Sequence, residues 1–316
     1  MTQMTRAIGV MEFGGAEKLQ VLEVPIEHAG PGQVRVRVHA AAVNPTDTYI
    51  PAGARAARDT DPQFPFVPGM DVAGVIDEIG DDVQTDLQIG DAVMGIVVPD
   101  HAHGGYRESI VLPAGSVTAA PAGRSHVEAA TIPMNGLTAR LALDLLDLKP
   151  GQVIAVTGAA GAFGGYVVQL AKADGLTVIA DSSEADEDLV RALGADIIVR
   201  RGDDVAERIR RHFPDGVDAL ADGAVMDTLA LPAVKDDGGV ATVRFWKGNG
   251  ERNLRFHPVI VRDYAENYDA LDKLRQQAED GSLTIRVAGT FAAEKAGEAQ
   301  QALARGGVRG RFVLTF

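Results

Sequence analysis

Three glycines carry the clearest chemical signal in this chain. Gly158, Gly161 and Gly164 follow an apolar run, Gln152–Thr157, and open a segment with helical character. Glycine at this spacing allows a tight turn, lets the backbone approach a pyrophosphate, and brings a helix close to a strand. The helix start, at Ala160, Ala162 and Phe163, then offers amide N–H groups and a positive dipole end to phosphates. The chemistry implied is dinucleotide binding. The alternative is a Gly/Ala-rich helix start packed closely on a sheet, a reading that also fits Gly165.

A second cluster is Asn44, Asp47 and Tyr49, in one short run after an alternating strand. Hydride delivery from a nicotinamide would leave negative charge on an acceptor's oxygen, which a donor must stabilise or protonate. Tyr49 is the first choice for that donor, with Asn44 and Asp47 orienting it or holding water. Asn44-Pro45-Thr46-Asp47 also reads as plain turn chemistry.

The cofactor's second phosphate is argued from the end of the next strand. Asp181 there favours ribose hydroxyls and hence NAD. Ser182 and Ser183 could donate to a 2′-phosphate, and Arg200 and Arg201 close the following strand. A guanidinium suits a phosphate, so the reading is NADPH, with NADH possible and Arg201 the phosphate contact. A solvated arginine pair is the alternative. Val243 and Arg244, ending an expected fifth strand, are candidates to line the nicotinamide side.

These residues need elements to hold them. Gln33–Val38 alternates polar and apolar, as a half-buried strand does, and short strands are expected at Val72–Ile79, Ala92–Val98 and Glu108–Leu112. Pro51–Pro65 reads as a surface loop. Beyond Pro121 strands and helices alternate: strands at Gln152–Thr157, Thr177–Ala180, Ile197–Val199, Val217–Ala221 and Gly239–Phe245, helices at Ala162–Asp174, Glu184–Leu193 and Asp203–His212. That spacing means βαβ units and a parallel sheet. The tail predicts helices at Tyr264–Ala278 and Ala293–Ala304 and strands at Leu283–Val287 and Arg311–Thr315.

Composition excludes several classes. The 316 residues favour two domains. A formal net charge of −14 argues against nucleic acid or an anionic membrane as partner. There is no cysteine, hence no disulfide and no thiolate metal site. No secretory signal is visible, and a cytoplasmic location is expected. His101 and His103 form an H-x-H pair without a third ligand and read as solvent loop, so no metal is expected. Tyr106, Phe245 and Trp246 are either pocket or core aromatics.

The stretches AAAVNPTDTYI (40–50), VPGMDVAGVIDEIGDDV (67–83), GGYRESIVLPAG (104–115), AATIPMNGLTA (129–139), VVQLAK (167–172), LVRALGAD (189–196) and GGVRGRFVL (306–314) resemble the medium-chain dehydrogenase/reductase family, in its zinc-free quinone oxidoreductase (zeta-crystallin-like) branch. The resemblance spans essentially the whole chain. It implies an α/β protein with a GroES-like β-rich catalytic domain, residues 1–121 completed by 263–316, and a Rossmann domain, 122–262. It also implies a cleft between them, a homodimer, and NADPH-dependent reduction of a quinone, enone or related small carbonyl electrophile. By resemblance the Asn44–Tyr49 run faces the nicotinamide and Thr138 lies near its ribose; an ordinary helix hydroxyl is the other reading of Thr138. Zinc-dependent relatives carry Cys and Gly-His-Glu where this chain has Ala42 and Gly69-Met70-Asp71. The branch's phosphate-binding turn is altered too, with Asp181-Ser182-Ser183 and Asp186, and with Arg201 where relatives often place a Tyr. An enoyl-thioester reductase and a non-catalytic, crystallin-like NADPH-binding protein are the competing functions.

Overall fold

A computed structural model describes residues 3–54 and 63–316. Of the expected loop Pro51–Pro65, positions 55–62 lie outside the described residues. Contacts divide the chain into two units. One holds Met1–Met134, Ala265–Glu279 and Ile285–Phe316; the other holds Asn135–Tyr264 and Asp280–Thr284. The division falls beyond the change in composition at Pro121. The short helix His126–Ala129 packs on the first unit's strands, where His126 stacks on His39 with ring centroids 4.8 Å apart.

The second unit is a six-stranded, all-parallel sheet. Its strands are β1 (Val153–Thr157), β2 (Thr177–Ser182), β3 (Ile197–Arg200), β4 (Val217–Asp222), β5 (Val234–Thr242) and β6 (Arg255–Pro258). The order across the sheet is β3-β2-β1-β4-β5-β6, the doubly wound order of dinucleotide-binding folds. Ala155, Ile179, Val199, Leu220 and Val240 form its core with Val205 and Ile209 of the helix Val205–His212. Helices on both faces of a parallel sheet explain why its strands read as apolar runs instead of alternating.

Three elements differ from the sequence expectation. β5 covers Val234–Thr242 instead of Gly239–Phe245. It starts early because Lys235, Asp236 and Asp237 lie on an exposed extension, and it stops at Thr242, whose hydroxyl donates to the Trp246 carbonyl at 2.8 Å. β6, RFHP, is short and only partly buried, without a run long enough to signal a strand. The helix Pro133–Leu146 is also new; Asn135 and Gly136 weaken its propensity, and burial of Leu137, Ala139, Ala142 and Leu146 overrides that.

The first unit is built around the eleven-residue strand Gln33–Val43. Its first half pairs antiparallel with Ser109–Pro113, its last residues pair with Arg311–Thr315, and Asp71–Ile79 runs along its other side. Val34, Val36 and Val38 are buried in the alternating half; Ala40 to Val43 are buried throughout. The sheet continues through Ala92–Ile96 to Val117–Ala119, and ends on the other side at Val287–Ala292. A separate hairpin, Met4–Gly9 with Gln20–Pro25, has no counterpart in the sequence expectation.

The tail departs from expectation at two places. The helix begins at Tyr268, not Tyr264, where Asn267 Oδ1 accepts the Ala270 N–H at 3.0 Å and caps it. The strand is Val287–Ala292, not Leu283–Val287, because Val287 is where pairing with Arg311–Thr315 begins, while the Thr284 N–H is bound at 2.7 Å by Gln169. Among the described residues, no helix is long and apolar enough to cross a membrane.

Candidate active site

The glycine turn joins β1 to the helix Ala162–Ala173. Gly158 has φ +67°, and a Cβ there would lie 3.0 Å from the Ala224 nitrogen. The Gly161 N–H closes the turn on the Gly158 carbonyl at 2.9 Å. At Gly164 a Cβ would lie 2.3 Å from that carbonyl oxygen, so the helix can dock on the turn only with glycine there. Gly161 occupies the N-cap, and no side chain caps the helix. The amides of the first turn, at Ala162 and Phe163, have no acceptor within the helix. Ala160 is buried beneath the turn, and the Phe163 ring packs beside Gly223, where a Cβ would sit 3.0 Å from Cδ1 of that ring. This arrangement of small residues and amides at a helix N-terminus fits a diphosphate.

The turn is braced by Asp222, which sequence reasoning missed. Asp222 ends β4 directly beside Thr157 of β1 and is 2% exposed. Its Oδ1 accepts the Thr157 hydroxyl at 2.6 Å and the Met226 N–H at 3.0 Å, and its Oδ2 accepts the Asp227 N–H at 2.8 Å. Thr157 Oγ1 in turn accepts the Ala224 N–H at 3.2 Å. Val225 and Asp227 sit at φ 57° and 48°, backbone that these bonds hold in place. The only sequence signal was an acid ending an apolar run before Gly223.

The residues expected around the second phosphate fall together at the ends of β2 and β3. Asp181 is largely buried, and its Oδ1 accepts the Ala159 N–H at 3.2 Å. Burial raises its pKa above the ordinary carboxylate value, partly offset by the Ala159 and Gly158 amides and by Arg201. Ser182 Oγ donates to the Ser183 carbonyl at 2.6 Å, and Ser183 Oγ donates to Asp186. Arg201 is exposed, with its N–H bonded to the Ser182 carbonyl at 2.8 Å. Arg200 lies 3.6 Å from Glu184. Val243 and Arg244 follow the end of β5 inside the turn closed by Thr242, and Phe245 beside them is exposed at φ 61°. Trp246 packs edge-on to Phe256. Thr138 is half-buried on the helix Pro133–Leu146.

In the first unit, strand Gln33–Val43 ends at Asn44 and Pro45 starts a single 3-10 turn that finishes on Tyr49. Asn44 and Asp47 are buried and Tyr49 is 40% exposed. The Asn44 N–H donates to Asp47 Oδ2 at 2.8 Å, and its side-chain amide donates to Asp71 Oδ2 at 2.6 Å. Tyr106 is fully buried, and its hydroxyl donates to Asp47 Oδ2 at 3.2 Å. The Met134 N–H donates to Asp71 Oδ1 at 2.6 Å, and Gln300 Nε2 reaches the Asp47 carbonyl at 3.4 Å. The sequence does not reveal Asp71, Tyr106 and Gln300 in this role; it presents Tyr106 as a pocket or core aromatic. Burial pushes the Asp47 and Asp71 carboxyls up to about 7.

The positions that correspond to zinc ligands in related dehydrogenases do not fit that metal. Ala42 is a buried apolar strand residue, the Met70 thioether accepts the Thr46 hydroxyl at 3.3 Å, and Asp71 is taken up by Asn44 and Met134. His101 stacks on Phe66, and His103 bonds Asp100 through the backbone. Among the described residues no group of three or more His, Cys, Asp or Glu is placed to hold a metal ion.

Comparison with known proteins agrees with this geometry. Residues 30–122 match the alcohol dehydrogenase GroES-like domain, and residues 162–266 match the family described as zinc-binding dehydrogenase. Quinone oxidoreductase of Mus musculus is 32% identical over 254 residues, which cover 76% of this chain and 73% of the mouse protein. The structure of quinone oxidoreductase from Coxiella burnetii superposes with a TM-score of 0.86 at 28% identity, over 99% of this chain and 100% of that one. A mycobacterial protein solved in complex with NADPH gives a TM-score of 0.84 at 25% identity, over 99% of this chain and 100% of that one.

Proposed function

This chain belongs to the medium-chain dehydrogenase/reductase family, in its quinone oxidoreductase branch, and from that premise we propose that it is an NADPH-dependent reductase of quinones, enones or related small carbonyl electrophiles that works without zinc. The observation that carries the reading is the docking of Gly164 on the Gly158 carbonyl beneath an uncapped helix N-terminus, on a sheet of dinucleotide-binding order. Bound NADPH would supply the hydride. The rest falls to groups of this chain. The Ala162 and Phe163 backbone amides would hold the diphosphate, and Thr138, Val243 and Arg244 would border the nicotinamide portion. Tyr49 is the exposed hydroxyl that donates to the substrate oxygen as it gains charge.

The phosphorylated cofactor is supported by Arg201, an exposed guanidinium beside Ser182, and by the NADPH complex of the mycobacterial neighbour. Asp181 is turned onto the Ala159 amide, and the positive charge of Arg201 acts on it. Arg201→Ala is expected to raise the Michaelis constant for NADPH by about tenfold or more, the worth of a charge-assisted hydrogen bond, and to leave that for NADH nearly unchanged. Steady-state kinetics with both cofactors and 9,10-phenanthrenequinone measures this; an equal effect on the two would reverse the cofactor assignment.

Tyr49→Phe is expected to lower kcat by about 100-fold, the lower end of general-acid contributions, with NADPH affinity intact. Full activity in this variant would remove Tyr49 from the reaction.

A further inference from the structure

Asp47 and Asp71 are two carboxylates almost without exposure, and one residue links them: Asn44 gives its backbone N–H to the first and its side-chain amide to the second. The other donors that act on the pair are neutral: Tyr106 and the Gly69 N–H on Asp47, and the Met134 N–H on Asp71. The charged and titratable groups that act on the pair are few. Tyr106 faces Asp47, with its own ionisation pushed well above the usual value by burial, and Gln300 from helix Ala296–Ala304 is neutral. Arg311 on the last strand acts on Asp71 through its field. Arg107, next in sequence to Tyr106, is directed to Ala102, Pro25 and Glu27. Two buried negative charges served mainly by neutral donors are costly. A single proton halves that charge and leaves lone pairs for these donors.

We infer that Asp47 and Asp71 act as one acid pair that holds a single proton between the two of them, and that the pair is a positioning device for the turn presenting Tyr49; the catalytic half of this rests on the role of Tyr49 proposed above. Asn44 and Asp47 begin and brace the turn Pro45–Tyr49, and Gln300 clamps it from its other side. When the last proton leaves, the second charge repels the first across Asn44 and loosens the turn. Burial, which raises the pKa of both carboxyls and so disfavours a doubly charged pair, agrees with this. Because folded-state values lie above unfolded ones, the pair's contribution to stability is fully present below about pH 4 and is lost as pH rises through about 7.

Asp71→Asn removes one ionisable carboxyl and keeps its shape. The new carbonyl accepts the Met134 N–H, and the repulsion between two charges is gone, although burial still raises Asp47. In protein without cofactor, amide exchange at Asp47 and Ile50, corrected for intrinsic rate, is expected to speed up about tenfold between about pH 6 and about pH 9 in the wild type and by about threefold or less in the variant. With NADPH and a quinone, kcat of the wild type falls over the same range with KM steady, and the variant shows a shallower limb. Exchange that ignores pH in the wild type, or a variant slope as steep as that of the wild type, overturns the inference whatever the catalytic result. The expected exchange together with no turnover of any quinone or enone supports the pair and refutes the reductase reading instead. Should Asp71→Asn fail to fold, Asp47→Asn also leaves one ionisable carboxyl and must show the same shallower exchange.

Discussion

Gly164→Ala is expected to abolish measurable NADPH binding, weakening it by at least about 100-fold, while secondary structure persists. The new methyl carbon would sit 2.3 Å from the Gly158 oxygen, 2.7 Å from its carbonyl carbon and 2.9 Å from Ala159 Cα. All three are backbone atoms of the turn itself, so no side chain can swing away. Relief requires the helix Ala162–Ala173 to lift or the turn to open, at the roughly 1–3 kcal/mol or more that overpacking costs. Either movement displaces the Ala162 and Phe163 amides from the position where they converge on a phosphate. Gly161→Ala is the matched control. A Cβ there meets a single atom within reach, the Gly158 oxygen at 3.1 Å, and its φ of −73° suits any residue. That variant should bind NADPH within about tenfold of wild type, a difference of roughly 1.4 kcal/mol. Fluorescence titration of both proteins decides the matter. Unimpaired binding by Gly164→Ala would show that the diphosphate sits elsewhere.

Asp222→Ala is expected to be the most destabilising single change near the site. It strands the Thr157 hydroxyl and the Met226 and Asp227 amides, three donors that a buried carboxylate now satisfies. Each unpaired buried donor costs about 1–3 kcal/mol, and bonds to a charged acceptor lie at the upper end. The sum, on the order of 3–9 kcal/mol, is a large part of a typical domain's stability. Val225 and Asp227 would also lose what holds their left-handed backbone, so the turn beside Gly158 should relax and cofactor affinity should fall with stability. Asp222→Asn is the graded test. Its single carbonyl can keep Thr157 and Met226, while its NH2 group opposes the Asp227 amide, so its denaturation midpoint should fall between wild type and alanine. An alanine variant as stable as wild type would mean that the loop finds other acceptors.

The parallel sheet was legible because its strands are apolar runs separated by helices at regular spacing, and the glycine turn because the contacts at Gly158 and Gly164 leave no room for a side chain. Asp222 and Asp71 were harder to see. Each has one partner more than sixty positions away, Thr157 for one and Met134 for the other, and no local spacing records that bond. Asn44 and Asp47 read in the sequence as residues that orient Tyr49 or hold water; in the fold both are buried and brace the turn, and Tyr49 is exposed. Gln300 gave no signal at all, since a glutamine on an amphipathic helix ordinarily faces water. β6 escaped notice because it is a short edge strand with little apolar content, and β5 shifted because its start is an exposed charged extension.

The central strand Gln33–Val43 completes its pairing only with Arg311–Thr315, at the far end of the chain, whereas every strand of the parallel sheet lies between Val153 and Pro258. During synthesis the middle of the polypeptide therefore has all its sheet partners while the ribosome is still adding residues. The β-rich part must wait, half paired, until Arg311–Thr315 has been made. Removing residues 311–316 would leave Ala40–Val43 without a neighbour on one side. Aggregation of nascent chains, more than loss of any reactive group, would then be the visible defect.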